Sequence, residues 1–368
     1  MVLALEPELL EALNEGHDPG WRASAVYGAK TTIESVPADW KSGSLSFNGD
    51  AKIQGQGSMY LSNDGASFVP KGKTDPLAPF GQEIVLERTV TVGPKVWSIP
   101  MGRFRITEIP SAREYFRRYP SQLGVVGWSA ELKLSDRFEQ IDADDFLKAE
   151  GPVAGNSVWD EIRRLSPIPI VQTLTDRAVP AGVTYRSRLD AITELLDSIG
   201  GVPHMTRQGA LTARVKDAWL TSTTPVFEIN GVIDMDDSMS NNFYNQVQVK
   251  SSIGGNDLVA FRQILDESNP LAVTRPIGGR TYRYSSPLLD TQAKVDEAAA
   301  TVLARVSTRQ SKTTKITCLP QPHIELGDFG QVTDPASGRV VKGEVTAMRY
   351  SFDPTASMTL ELIASDTW

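Results

Sequence analysis

The chain has a single cysteine, Cys318, in 368 residues. That excludes an intrachain disulfide framework and any zinc site built on cysteine clusters. Within the alternating run Lys315 to Leu319, Cys318 reads as a small core residue rather than a nucleophile. Histidine is almost as scarce: His17, His204 and His323 stand far apart, with no i, i+4 pair and no H-E-x-x-H. Each reads as a surface or packing histidine. Basic charge is short as well. Against 45 Asp and Glu there are 37 Lys and Arg, a net charge of −8, so the molecule as a whole repels nucleic acid instead of gathering it by counterion release. Long apolar runs are missing too: nowhere do about eighteen uncharged apolar residues follow one another. The start MVLALEPELLEALNEGH lacks the basic opening and apolar stretch of a signal peptide. A chain made in the cytosol, without stable membrane insertion, is expected.

Enzyme signatures are equally thin. Gly28-Ala29-Lys30-Thr31 ends like a phosphate loop but lacks the upstream glycine, and Gly55-Gln56-Gly57 lacks the third glycine of a dinucleotide turn. No G-x-S-x-G elbow occurs. Two acidic knots stand out, Asp142, Asp144 and Asp145, then Asp234, Asp236 and Asp237. Close carboxylates on a loop are calcium-ligand chemistry, yet neither knot has the glycine and terminal glutamate of the spaced calcium loop. The competing reading is that each marks a domain junction and caps the next element. No catalytic, cofactor or metal residue is therefore assigned.

What is present is β pattern. A length of 368 residues suggests roughly two to three domains. Leu5, Leu9 and Leu13 among glutamates predict an amphipathic helix ending near Gly16; it either caps the first domain or lies on a partner. From Trp21 to Ile141, apolar residues sit two apart between Gly, Asn, Asp and Pro, the cleanest run being Trp128, Ala130, Leu132 and Leu134. Many short strands with regular turns mean a barrel or sandwich. The loop Asn63 to Gly81 reads as exposed, and Tyr115-Phe116-Arg117-Arg118-Tyr119 as a basic aromatic tip suited to a protein contact or a plain exposed loop.

After Ile141 the character changes. Asn156 to Leu165 and Arg188 to Ile199 carry helical stripes, and a hairpin turning at Gln208-Gly209 follows, an α+β insertion. Strand alternation resumes at Phe243 to Lys250 and at Leu258 to Ile264, on either side of a Gly254-Gly255-Asn256 turn. Asp290 or Thr291 caps a helix to about Arg309. The run Leu319 to Asp366 alternates again: Met348, Tyr350 and Phe352 share one face, and Met358, Leu360 and Leu362 another. Such a module curls to satisfy its own strand edges or hands them to a neighbouring subunit.

The order of three stretches resembles the tail-hub proteins of long-tailed bacteriophages, the minor-tail or baseplate-hub type, especially those with actinobacterial hosts. They are PMGRFRITEI with GWSAELKLSDRFEQI; WDEIRRL through VTYRSRLDAITELLDSIGGVPHMTRQGALTARV; and FYNQVQVK, IGGRTYRYSSPLLDTQAKVDEAAATVLAR and PHIELGDFGQVTD. They cover most of the chain from about residue 80; residues 1 to 75 match least. The resemblance implies a β-rich α+β chain: an N-terminal helix in 1–20, a first tube-type antiparallel β-barrel in 21–145, an α+β insertion in 146–235 and a second barrel in 236–368 that includes helix 291–309. It further implies a homotrimer forming a pseudo-sixfold ring at the distal end of the tail, located in the virion. Implied partners are the distal tail protein, the tape measure protein, tail-tip fibre or receptor-binding proteins, and genomic DNA passing without sequence-specific binding. No cofactor and no reaction are implied, and no appended catalytic domain is expected after Trp368. A tail-associated cell-wall hydrolase and a carbohydrate-binding adhesin are the alternatives.

Overall fold

The computed structural model describes residues 3, 5–120, 122–148, 150–179, 183–239, 243–253, 256–308 and 312–364. The Gly254-Gly255 turn, Arg309 and the last residues of the C-terminal run lie outside them. A helix, α1 (Pro7–Glu15), precedes β1 (Asp18–Tyr27), β2 (Lys30–Ile33), β3 (Ala38–Asn48), β4 (Gly55–Asn63), β5 (Gln82–Val92), β6 (Lys95–Arg118) and β7 (Leu123–Asp136). Next come α2 (Phe138–Ala143), α3 (Val158–Leu165), α4 (Arg188–Ser198), β8 (Gly201–Met205) and β9 (Leu211–Val215). The chain continues through β10 (Phe227–Ile229), β11 (Val232–Met239), β12 (Gln246–Ile253), β13 (Asn256–Gln263), β14 (Thr281–Ser285) and α5 (Gln292–Thr308). It ends with β15 (Lys312–Cys318), β16 (Phe329–Thr333), β17 (Val340–Ser351) and β18 (Met358–Ala364). The protein is β-rich, as expected.

Both β-rich regions join in one thirteen-stranded sheet, ordered β11-β15-β18-β17-β3-β4-β7-β6-β5-β1-β2, with β16 beside β17 and β10 beside β16. The seam is β17 against β3, antiparallel, with Tyr350 opposite Leu45 and Met348 opposite Phe47. One apolar cluster runs under it all, from Trp21 and Leu45 through Trp128 to Tyr350 and Leu362. Trp21, Trp40 and Phe352 interlock across the seam, with Phe352 edge-on to both indoles. Offset and edge-on geometry suits the quadrupoles of aromatic rings. Arg88, itself buried, lies 5.0 Å from the Trp21 ring and donates to Pro354 O at 2.6 Å.

Each region also folds back on itself. β10 pairs with β16 and β11 pairs with β15, and only Asn230-Gly231 separate β10 from β11. The path β11-β15-β18-β17-β16-β10 therefore returns to where it starts. Gly330 makes this possible, since a Cβ there would lie 1.9 Å from the Phe227 ring. In the other region Val36 N donates to Ala23 O at 2.9 Å, and Trp21 stacks on Trp40, bringing the β1 end of the sheet back towards β3.

Two differences from expectation stand out. The second β region begins at Phe227 rather than 236, because Phe227 and Ile229 are buried in the shared core. The strands β12, β13 and β14 are not part of the large sheet. They make a separate sheet, ordered β13-β12-β14, with α5 laid over one face through Val295, Ala299, Val302 and Val306. Alternation reports burial of one face but not which partner buries it. Of the two places expected for α1, the structure shows the cap on the first β region: Leu9 and Leu13 are buried against Val90 and Ile99, so its leucine stripe is covered locally. Helices α2, α3 and α4 with the β8–β9 hairpin enclose their own cluster around Trp159, Ile162 and Leu195. The α3 cap is Ser157, its hydroxyl accepting from Asp160 N at 3.2 Å.

Candidate functional site

Alternate residues of a strand face opposite ways, and the register shows what the sheet turns away from its core. One row reads Asp234, Thr317, Thr359, Arg349, Ser46, Gln56 and Ser135 across β11, β15, β18, β17, β3, β4 and β7. A second reads Asp236, Lys315, Glu361, Ala347 and Asn48. Ser351, Ser44, Ser58 and Lys133 form a third. This face is hydroxyl- and amide-rich. Its ionic groups, Asp234, Asp236, Glu131 and Glu361 against Lys133, Lys315 and Arg349, nearly balance, and Lys133 is bonded to Glu131 at 2.5 Å. A trough of about 410 Å³ crosses it between Asn48, Gln56, Arg349 and Glu361. It offers no row of cations to grip phosphates.

Behind the sheet lies a buried polar junction where the β8–β9 hairpin meets both β regions. Arg207, in the hairpin turn, donates to Pro100 O at 2.7 Å, Pro322 O at 2.5 Å, Ile324 O at 3.0 Å and Glu325 Oε1 at 2.9 Å. His204 Nε2 is 3.7 Å from Glu325 Oε2, an electrostatic neighbour rather than a hydrogen-bond donor. Burial pushes the Glu325 carboxyl up, but His204 and Arg207 more than offset it and hold it at about 2. Burial, helped by the Arg207 charge, pushes His323 down to about 4. Asp136 accepts from Gly55 N and Phe138 N, and burial pushes it up to about 7. A chamber of about 50 Å³ lies among Asp136, His204, Arg207 and Glu325. These groups fasten three segments. Sequence reasoning passed over Arg207 and Glu325.

The acidic knots part ways. Asp142 pairs with Lys52 at 2.6 Å and Asp144 lies 3.6 Å from Arg188, both tying α2 to distant parts of the chain, and Asp145 accepts locally from Phe146 N at 2.7 Å. In the second knot, among the described residues, only Asp237 is engaged, by Arg339 at 2.6 Å, Lys312 at 3.2 Å and Thr314. Asp234 and Asp236 are exposed on β11, so they line a sheet edge instead of capping a following element. Among the described residues no three His, Cys, Asp or Glu side chains converge as metal ligands. Cys318 is buried in the core, where burial pushes its thiol up to about 12. No described helix is long and apolar enough to cross a membrane. The tip between β6 and β7 is exposed, with Tyr115 at 51% and Phe116 at 54%.

No family model matches the chain. No curated protein matches it either. Solved structures do. The tail protein from Neisseria meningitidis MC58 is 15% identical with a TM-score of 0.59, covering 94% of this chain and 97% of that one. The 43 kDa tail protein of prophage MuSo2 from Shewanella oneidensis is 10% identical with a TM-score of 0.56, covering 93% and 98%. Prophage tail protein gp18 from Listeria monocytogenes EGD-e is 10% identical with a TM-score of 0.53, covering 94% of each. At these identities the likeness is one of architecture, end to end: the chain has the fold of these tail proteins.

Proposed function

We propose that the chain is a structural hub at the distal end of a phage-type tail, with no reaction of its own. Its two β regions act as two tube-type barrels. Three copies form a pseudo-sixfold ring that joins the tail tube and distal tail protein to tape measure and tip-fibre or receptor-binding proteins. The closed path through β10 and β11 supports the second barrel, and the return of β1 towards β3 supports the first. The observation that carries the reading is the unbroken sheet across β17 and β3 with a hydroxyl-rich, charge-balanced outer face. A lumen that DNA must traverse needs such a face, because a row of Lys and Arg holds phosphates by counterion release.

An image of the intact particle with this chain labelled tests the location: density at the tail tip supports it, and density in the capsid or along the tube overturns it. Light scattering of the purified chain should give a trimer. Clearing of a host-wall suspension, lost on changing one carboxylate, indicates the hydrolase instead. Binding of isolated chain to host cells indicates the adhesin.

A further inference from the structure

The small sheet β13-β12-β14 buries one face under α5, through Val247, Val249 and Ala260. Its other face looks outward, and the register arranges it in rows: Gln263, Gln246 and Thr281, then Phe261, Gln248 and Arg283. These rows floor a trough of about 680 Å³ that Arg262 and Leu265 also line. Phe261 stands in it 65% exposed. Among the described residues no acidic side chain lines the trough, and neither Arg262 nor Arg283 makes an ion pair. In a chain of net charge −8, that is a local excess of positive charge. The outer face of the large sheet, by contrast, nearly balances its charges.

We propose that this face binds an acidic glycan. One sugar ring stacks on Phe261, a carboxylate or phosphate on that sugar or the next meets Arg283, and the glutamines between them hold hydroxyls. An exposed phenyl ring offers its electron-rich face to the C–H groups of a sugar. Each amide carries a donor and an acceptor side by side, which suits neighbouring hydroxyls, and arginine forks onto carboxylate or phosphate. Spacing agrees: Phe261 and Arg283 flank Gln248 from the two outer strands, about 10 Å apart at two strand spacings. Gln246 is already oriented, since Thr281 Oγ1 donates to its Oε1 at 3.0 Å and a Cβ at Gly279 would lie 2.0 Å from its Nε2. Other occupants fit less well. A protein interface centres on an apolar core depleted of charge, whereas Phe261 and Leu265 are the exposed apolar side chains here. A single-stranded nucleic acid calls for two or three stacked bases, yet Tyr282 and Tyr284 of β14 lie on the α5 side, Tyr282 edge-on to Tyr244. The site stands apart from the large sheet and does not depend on the ring reading. One aromatic ring and two cations bind weakly in each copy, so an isolated chain is not expected to hold host cells, while several copies in one particle act together.

Titration calorimetry of the full chain tests this with oligogalacturonate for the carboxylate, a phosphorylated mannose oligomer for the phosphate, neutral maltodextrin and oligothymidylate. Saturable binding of at least one acidic glycan is expected, weakened about tenfold or more by Phe261→Ala and by Arg283→Gln. Lys30→Gln, an equal loss of charge at an exposed position on β2, should leave it unchanged. Phe261 and Arg283 are exposed, so an unchanged urea midpoint is expected of both variants and separates lost binding from lost folding. Failure of both acidic glycans to bind overturns the proposal. So does maltodextrin bound as tightly as they are, oligothymidylate bound more tightly, or acidic-glycan binding that neither variant weakens. None of these results bears on the trimer measured by light scattering, so the hub reading stands or falls separately.

Discussion

Changing Arg207 to Ala tests whether one side chain holds the hairpin to both β regions. Its guanidinium is 9% exposed and Glu325 is 15% exposed, so their contact is not a surface ion pair. Removing it takes the arginine from the Glu325 carboxylate, with His204 still 3.7 Å away, and takes a donor from the carbonyls of Pro100, Pro322 and Ile324. Removing one member of a buried ion pair costs about 3–5 kcal/mol, and water entering the vacated space keeps the three carbonyls from adding fully. About 4 kcal/mol is expected on the same grounds, measured by urea unfolding at neutral pH. Glu325→Gln alone should cost less, and the double variant should fall short of the sum, because the groups share one network. Acidity gives a second check. Glu325 is held at about 2 when folded, against about 4.3 in an unfolded chain. Its stabilisation is complete above the unfolded value and is lost as pH falls through the folded one. Arg207→Ala should flatten that part of the profile. A cost below about 1 kcal/mol, the range of exposed pairs, or additive single changes would refute the reasoning.

Other outcomes follow from the same structure. His323, lowered to about 4 by burial, favours the neutral ring in the folded state, so its stabilisation is full above about 6.5 and falls away towards pH 4; His323→Gln should remove that slope from a urea series. Asp136 has the opposite sign: raised to about 7 by burial, it makes stability decline from about pH 4 towards 7, and Asp136→Asn should flatten the decline. Gly330→Ala forces the Phe227 ring aside and should cost about 1–3 kcal/mol as overpacking, read as a lower urea midpoint. Leu9→Ala or Leu13→Ala should each cost about 2–4 kcal/mol, as for other buried leucines, and should alter the fluorescence of Trp97, which packs against the same cluster.

Much of the secondary structure was legible because period-two alternation survives wherever one face is buried. Trp128 to Leu134 and Met348 to Phe352 show it, and their apolar members lie in one core. What alternation does not encode is the partner. Nothing in Tyr244 to Lys250 distinguishes a strand of the large sheet from one in the small sheet under α5, since either burial leaves the same pattern. Nor does any local signal mark the β17–β3 seam, which joins residues about three hundred positions apart. Arg207 was illegible for a related reason. Thr206-Arg207-Gln208-Gly209 has the composition of an exposed hairpin turn, and only the arrival of Pro322 to Glu325 from far along the chain encloses it. The acidic run Asp234 to Asp237 was visible, but its meaning depends on β11 standing last in the strand order.

That last point bears on why the chain tolerates so extended a sheet. Exposed strand edges invite uncontrolled pairing, and proteins blunt them with charge or cover. Here β11 pairs only with β15, and among the described residues Ser111–Arg118 of β6 has only β7 beside it. The charges differ in sign between these two open edges, aspartate on β11 and arginine on the outer half of β6. Blunting alone needs no such difference, since two acidic edges repel each other equally well. Opposite signs block like-with-like contacts yet permit the head-to-tail one, and head-to-tail contacts close into rings when the rotation allows. The same two edges bound the hydroxyl-rich face, which runs unbroken across the β17–β3 seam between them.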